Sequence, residues 1–196
     1  MFKASVFLNS NALRILYCSL FLPYINYCCE IWGVTYKNTT NPIVIQQKRA
    51  IRIVSKVGKR EHTSKLFCQL NILKFTDLVD IKVAVIMYKA HKGLLPIHIQ
   101  NNFSRNTGSD YCLRNKSQFK VRHARKKMKS NSITIYGFKV FNNLSKITRE
   151  AGNVFAFKRL YKKALFSQYV VIHIFISWLT NLKKQKVWLF LFLYNL

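Results

Sequence analysis

Side chains that could do acid–base or metal chemistry are scarce in this chain. Its carboxylates are Glu30, Glu61, Asp77, Asp80, Asp110 and Glu150, against 33 Lys and Arg, a formal net charge of +27 over 196 residues. Only Asp77 and Asp80 are close in sequence, whereas a two-metal centre needs converging carboxylates and a glycosidase needs a facing pair. The five cysteines, Cys18, Cys28, Cys29, Cys68 and Cys112, form no C-x-x-C pair. They read as buried, reduced thiols of an intracellular protein. The histidines lack H-x-x-x-H spacing, and no serine stands in a nucleophile motif. No catalytic residue, metal or cofactor is therefore expected. The chemistry that remains is the binding of polyanions. Lys48, Arg49, Arg52 and Lys56, followed by Lys59 and Arg60, form one basic group. Arg122, Arg125, Lys126 and Lys127 form another. Lys48, Arg52 and Lys56 recur at i, i+4 and i+8, predicting a stripe about 12 Å long on one helix.

The elements that must position these cations read as helices. Leu13, Leu16, Tyr17, Leu20 and Phe21 keep helical spacing behind an N-cap at Ser10 or Asn11, and Pro23 ends or kinks that helix. The N-terminus reads as a helix rather than a signal peptide, because it carries Arg14 and no small-residue cleavage site. After a polar loop, Pro42 suits the first turn of a second helix. Its core face takes Ile43, Ala50, Ile53, Val54 and Val57, and Gly58 ends it, placing Lys59 and Arg60 in the turn. A short helix is read at Thr63–Leu70. Thr76 should cap a strong helix with Asp77 and Asp80 in its first turn. That helix is apolar almost all round from Leu78 to Ala90 and is stopped by Gly93 and Pro96. Tyr24, Tyr27 and Trp32 read as core aromatics, with base stacking as the alternative.

The predicted fold is mainly α: a small helical bundle over 1–97, then a basic, partly irregular extension over 98–167. The extension carries a short strand at Ser132–Tyr136 and helices at Gly137–Leu144 and Val154–Phe166. In the last helix Phe155, Phe157, Leu160 and Leu165 should face inward. Lys120–Lys129 reads as a second phosphate-binding patch, a nuclear-import signal or a mobile basic loop. The tail, 168–196, holds two apolar runs within 169–194, each too short to span a bilayer and separated by lysines.

Several motifs in order carry a resemblance. Leu16-Tyr17 to Pro23-Tyr24, then Tyr27 and Trp32-Gly33, are similar to the L-Y-x-S-L-x-x-P-x-x-x-Y pattern ending in W-G. That pattern follows the catalytic domain in jockey-type non-LTR retrotransposon reverse transcriptases. Gln47-Lys48-Arg49-Ala50-Ile51-Arg52-Ile53 resembles the family's Q-K-R-A-[IV]-R-I helix, and Arg60 to Phe67 its R-x-H-T-x-x-L-F step. Leu94-Leu95-Pro96, Arg114-Asn115, Gly137-Phe138 with Phe141-Asn142-Asn143-Leu144, and Phe157-Lys158-Arg159-Leu160 continue the series to about residue 167. Phe141 replaces the usual Trp and Ser145 the usual Pro. The polymerase motif Tyr-x-Asp-Asp does not occur in the chain. The resemblance implies the thumb and post-thumb region of an RNA-directed DNA polymerase, a part that grips template–primer and does no chemistry.

The expected function is thus non-catalytic binding of the phosphate backbone of RNA or an RNA–DNA duplex, beside a separate polymerase domain, in an intracellular, nuclear setting. The alternatives are a membrane-associated or scaffold protein using the apolar tail, and a decayed fragment without function.

Overall fold

The computed structural model describes residues 3–103 and 119–169, and its regular elements there are helices. The apolar tail beyond 169, Asp110, Cys112 and the Arg114-Asn115 match lie outside the described residues. Helix α1 (Ser10–Leu16) is capped by Asn9, one residue earlier than expected, whose side-chain oxygen accepts from the Ala12 N–H at 2.8 Å. It runs through a π-helical stretch, Tyr17–Phe21, into α2 (Leu22–Asn26), so Pro23 does not end the run. The wider π turn disturbs the helical register. Leu13 and Tyr17 are fully buried, but Leu20 is turned out to 59% exposure. A left-handed Cys28 then leads into α3 (Cys29–Trp32).

Helix α4 (Lys37–Val54) begins earlier than Pro42 suggests. The Tyr36 carbonyl accepts from Thr39 and Thr40, so a polar turn precedes the proline, which sits in the second turn. The face of α4 that is buried carries Gln47, Ala50, Ile51 and Val54. Gln47 is the polar member, and it joins three segments. Its Nε2 donates to the Tyr17 hydroxyl and to the Leu73 carbonyl, both at 3.0 Å, and its Oε1 accepts from the Phe75 N–H at 2.7 Å. It thereby caps α6 (Phe75–Lys92), work expected of Thr76, whose hydroxyl instead donates to Asp77. Between them lies α5 (Thr63–Gln69).

Helix α6 is buried along most of its length, as its composition predicts. One side packs with Ile25, Cys29 and Val34, the other with Phe138, Phe141 and Phe157. Lys82, which interrupts its apolar surface, pairs with Glu30 at 3.4 Å. After α7 (Ile97–Gln100), α8 (Lys127–Ser130) precedes α9 (Ile133–Asn142). The strand expected at Ser132–Tyr136 is therefore helical. Its Ile-Thr-Ile run favours a strand locally. Burial of Ile135, Phe138 and Phe141 at a spacing of three, with Phe138 and Phe141 in the core built on α6, decides for the helix. A turn, α10 (Lys146–Arg149), and α11 (154–169) complete the described chain. Helix α11 buries Phe157, Tyr161, Leu165 and Tyr169 at a spacing of four. Phe155 is 74% exposed rather than inward, because residues 155 and 157 point about 200° apart on a helix. Segments on both sides of residue 97 pack on α6.

Two glycines permit the close crossings on α6. A Cβ on Gly33 would overlap the Cys29 carbonyl oxygen and lie 2.5 Å from Val79 Cγ2. One on Gly137 would meet the end of the Met87 side chain, Sδ at 2.8 Å. Gly33→Ala should therefore cost about 2–3 kcal/mol, and Gly137→Ala about 1 kcal/mol because Met87 can swing aside. Gln47→Ala should cost about 3 kcal/mol or more, since it strands buried partners and leaves a void. Urea unfolding followed by circular dichroism measures all three.

Candidate nucleic-acid interface

The basic face of α4 is opposite the side that carries Gln47 and Ile51. Lys48 and Arg49 are exposed on it. Arg52 is half-buried, with its Nε donating to the Glu61 carbonyl at 2.9 Å, which braces the guanidinium against the following turn. The helix stops at Val54, so Lys56 is not a third rung of the stripe. Lys56 has φ of 53° and closes the helix: its N–H donates to the Ile53 carbonyl, and the Val57 N–H to the Arg52 carbonyl, both at 3.1 Å. That pair of bonds is a Schellman turn. Lys56 thus takes the terminating place expected for Gly58.

The turn folds the cations around a groove of about 920 Å³. Arg49, Arg52, Lys56 and Lys59 line it, with Ile53 and Val57 as the apolar part of the wall. Lys48 and Arg60 flank it as exposed residues. Ile53, expected in the core, is only half-buried and belongs to the groove. Of the residues singled out from the sequence, four converge here.

The second basic group is held at both ends. Phe119 is buried between Phe138, stacked at 4.8 Å, and Phe103 and Phe141. The Asn142 side chain clamps its backbone, accepting from the Phe119 N–H at 3.1 Å and donating to its carbonyl at 2.9 Å. From there 120–126 runs without regular structure to α8, and Arg122, Arg125, Lys126 and Lys127 are all exposed. These four do not line the α4 groove.

Two acids sit on α6, away from the groove, and Glu61, which lies in the groove's own turn, forms no ion pair with a groove cation. Asp80 accepts from the Tyr136 hydroxyl and Asp77 from the Tyr169 hydroxyl. The ion pairs among the described residues are Lys82–Glu30 and Lys146–Glu150, and neither involves a groove cation. Burial pushes the Asp80 carboxyl above the ordinary carboxylate value. The Tyr136 hydrogen bond opposes that shift and the charge of Asp77 adds to it. Burial also pushes the Tyr17 phenol up to about 12, and raises Tyr136, Tyr161 and Tyr169. Two aromatics expected in the core are not there: Tyr24 is 82% and Tyr27 76% exposed. Trp32 does pack, stacked on Phe75 at 5.3 Å. Among the cysteines Cys29 is buried and Cys18 exposed.

Sequence reasoning missed Gln47 and the Glu61 carbonyl. The first had a signal, since Gln47 falls on the same helical face as Ala50, Ile51 and Val54. The second is a backbone contact with none. Comparison with family models, curated proteins and solved structures returns no match.

The raised Asp80 carboxyl has a defined pH signature. The folded chain holds this proton more tightly than the unfolded chain, so its contribution to stability falls as pH rises from the ordinary carboxylate value through the folded value. Asp80→Asn should flatten that slope. Tyr136→Phe should steepen it, by removing the bond that favours the charged form. Unfolding in urea across an acid pH series reads both.

Proposed function

We propose that the chain is the thumb and post-thumb part of a non-LTR, jockey-like retrotransposon reverse transcriptase, and that it binds the phosphate backbone of RNA or an RNA–DNA duplex without catalysis. The observation that carries the reading is the cluster of Arg49, Arg52, Lys56 and Lys59 at one groove with no carboxylate paired to any of them among the described residues. Unpaired cations on a braced turn attract a polyanion, and phosphate contacts of this kind are insensitive to sequence and sensitive to salt. The ordered motif series supports the same assignment. Gln47, within those motifs, ties α4, which presents the groove, to the start of α6, while Trp32-Gly33 and Gly137 pack on α6 itself.

A membrane-surface role is the second reading. Phe7, Ile15, Tyr24, Tyr27 and Ile31 are all more than two-thirds exposed in the N-terminal segment, beside a strongly basic chain. Among the described residues no helix is long and apolar enough to cross a membrane.

The test is affinity for an RNA–DNA duplex across a salt series. Lys48→Gln, Arg49→Gln and Lys59→Gln together should lower the slope of log affinity against log salt by about 3, alike for unrelated sequences. Arg52 is left in place because it braces the turn. Binding that is absent at low salt, combined with flotation on anionic liposomes, would favour the second reading.

A further inference from the structure

Among the described residues, three helices close with the same pair of backbone bonds. In each, one residue takes the left-handed conformation: Lys56 after α4, Asn71 after α5 and Gly93 after α6. Glycine and asparagine are the residues that accept this conformation readily, while a lysine there is strained. Of the three, Lys56 is the residue that lines the basic groove. A strained residue kept where glycine would be easier points to work done by its side chain.

The groove itself narrows what that work is. It is concave and mixes four cations with the apolar side chains of Ile53 and Val57. A duplex presents phosphates on a convex surface with its bases stacked inside, so it offers the apolar wall nothing to cover. An unpaired nucleotide offers both a phosphate for the cations and a base or sugar face for the wall. The carbonyl end of α4 opposes an anion by about half a charge, well below the four cations gathered there.

Resting on the nucleic-acid reading above, we propose that this groove seats an unpaired nucleotide of a single-stranded segment, and that Lys56 is held left-handed to reach its phosphate. The groove then distinguishes a single-stranded extension from the duplex beside it. Arg52, braced by the Glu61 carbonyl, is the fixed cation of the seat.

The experiment uses the full chain and fluorescence anisotropy with three probes: a blunt RNA–DNA duplex, the same duplex with a single-stranded extension, and that extension made abasic. The extension should improve affinity about tenfold, and the abasic version should behave like the blunt duplex. Lys56→Gly should weaken binding to the blunt duplex by the loss of one phosphate contact and weaken binding to the extended duplex further, so that the ratio of the two affinities falls from about tenfold to near one. It should also raise Tm by about 3 °C, because glycine relieves the left-handed strain. A rise in Tm with the preference intact overturns the proposal, as does an equal fall in affinity for all three probes. Equal wild-type affinity for blunt and extended duplex overturns it while leaving backbone binding standing. Absence of binding to every probe at low salt overturns both.

Discussion

The side chain of Gln47 holds the N-terminal half of this protein in register. Three hydrogen bonds from one amide tie α4 to Tyr17 on the π-helical stretch, to the Leu73 carbonyl and to the first N–H of α6. A buried amide with both ends satisfied is directional in a way that apolar packing is not. It sets the rotation of α4 about its axis, with Ala50, Ile51 and Val54 turned inward. Once that rotation is set, Lys48, Arg49 and Arg52 have only the opposite side left.

The same logic runs through the acids. Most carboxylates of the described chain are engaged in holding helices together: Asp77 with Tyr169, Asp80 with Tyr136, and Glu30 with Lys82. Each contact joins α6 to a different neighbour. The consequence reaches the surface, because acids occupied at α6 are not beside the α4 groove to neutralise it. Core and groove are in this sense one electrostatic arrangement, with a small number of negative charges placed inside a strongly positive molecule.

Much of the fold was legible in the residues. The helical spacing of Leu13 and Tyr17, the apolar run of α6 and its Gly93 stop reflect local rules that tertiary contacts reinforce. Where contacts compete with local rules, the reading fails. Ile133 to Tyr136 prefers a strand by type, yet packs on α6 as a helix. Lys56 is a poor residue for a left-handed turn, yet closes α4 ahead of Gly58. Tyr24 and Tyr27 have core composition, yet the π-helical stretch upstream disturbs the register that spacing arguments assume.

By itself, the sequence determined that the chain is helical, that it is strongly positive, and which cations lie on the outer half of α4. These follow from side-chain type and a period of 3.6, both local properties. Only the tertiary structure decided that Arg49, Arg52, Lys56 and Lys59 share a groove rather than a straight stripe. That outcome depends on where α4 stops and how the next turn folds back. The stop is set by backbone bonds to the Ile53 and Arg52 carbonyls, and the fold-back is braced by the Glu61 carbonyl, groups that every residue carries and no sequence pattern marks.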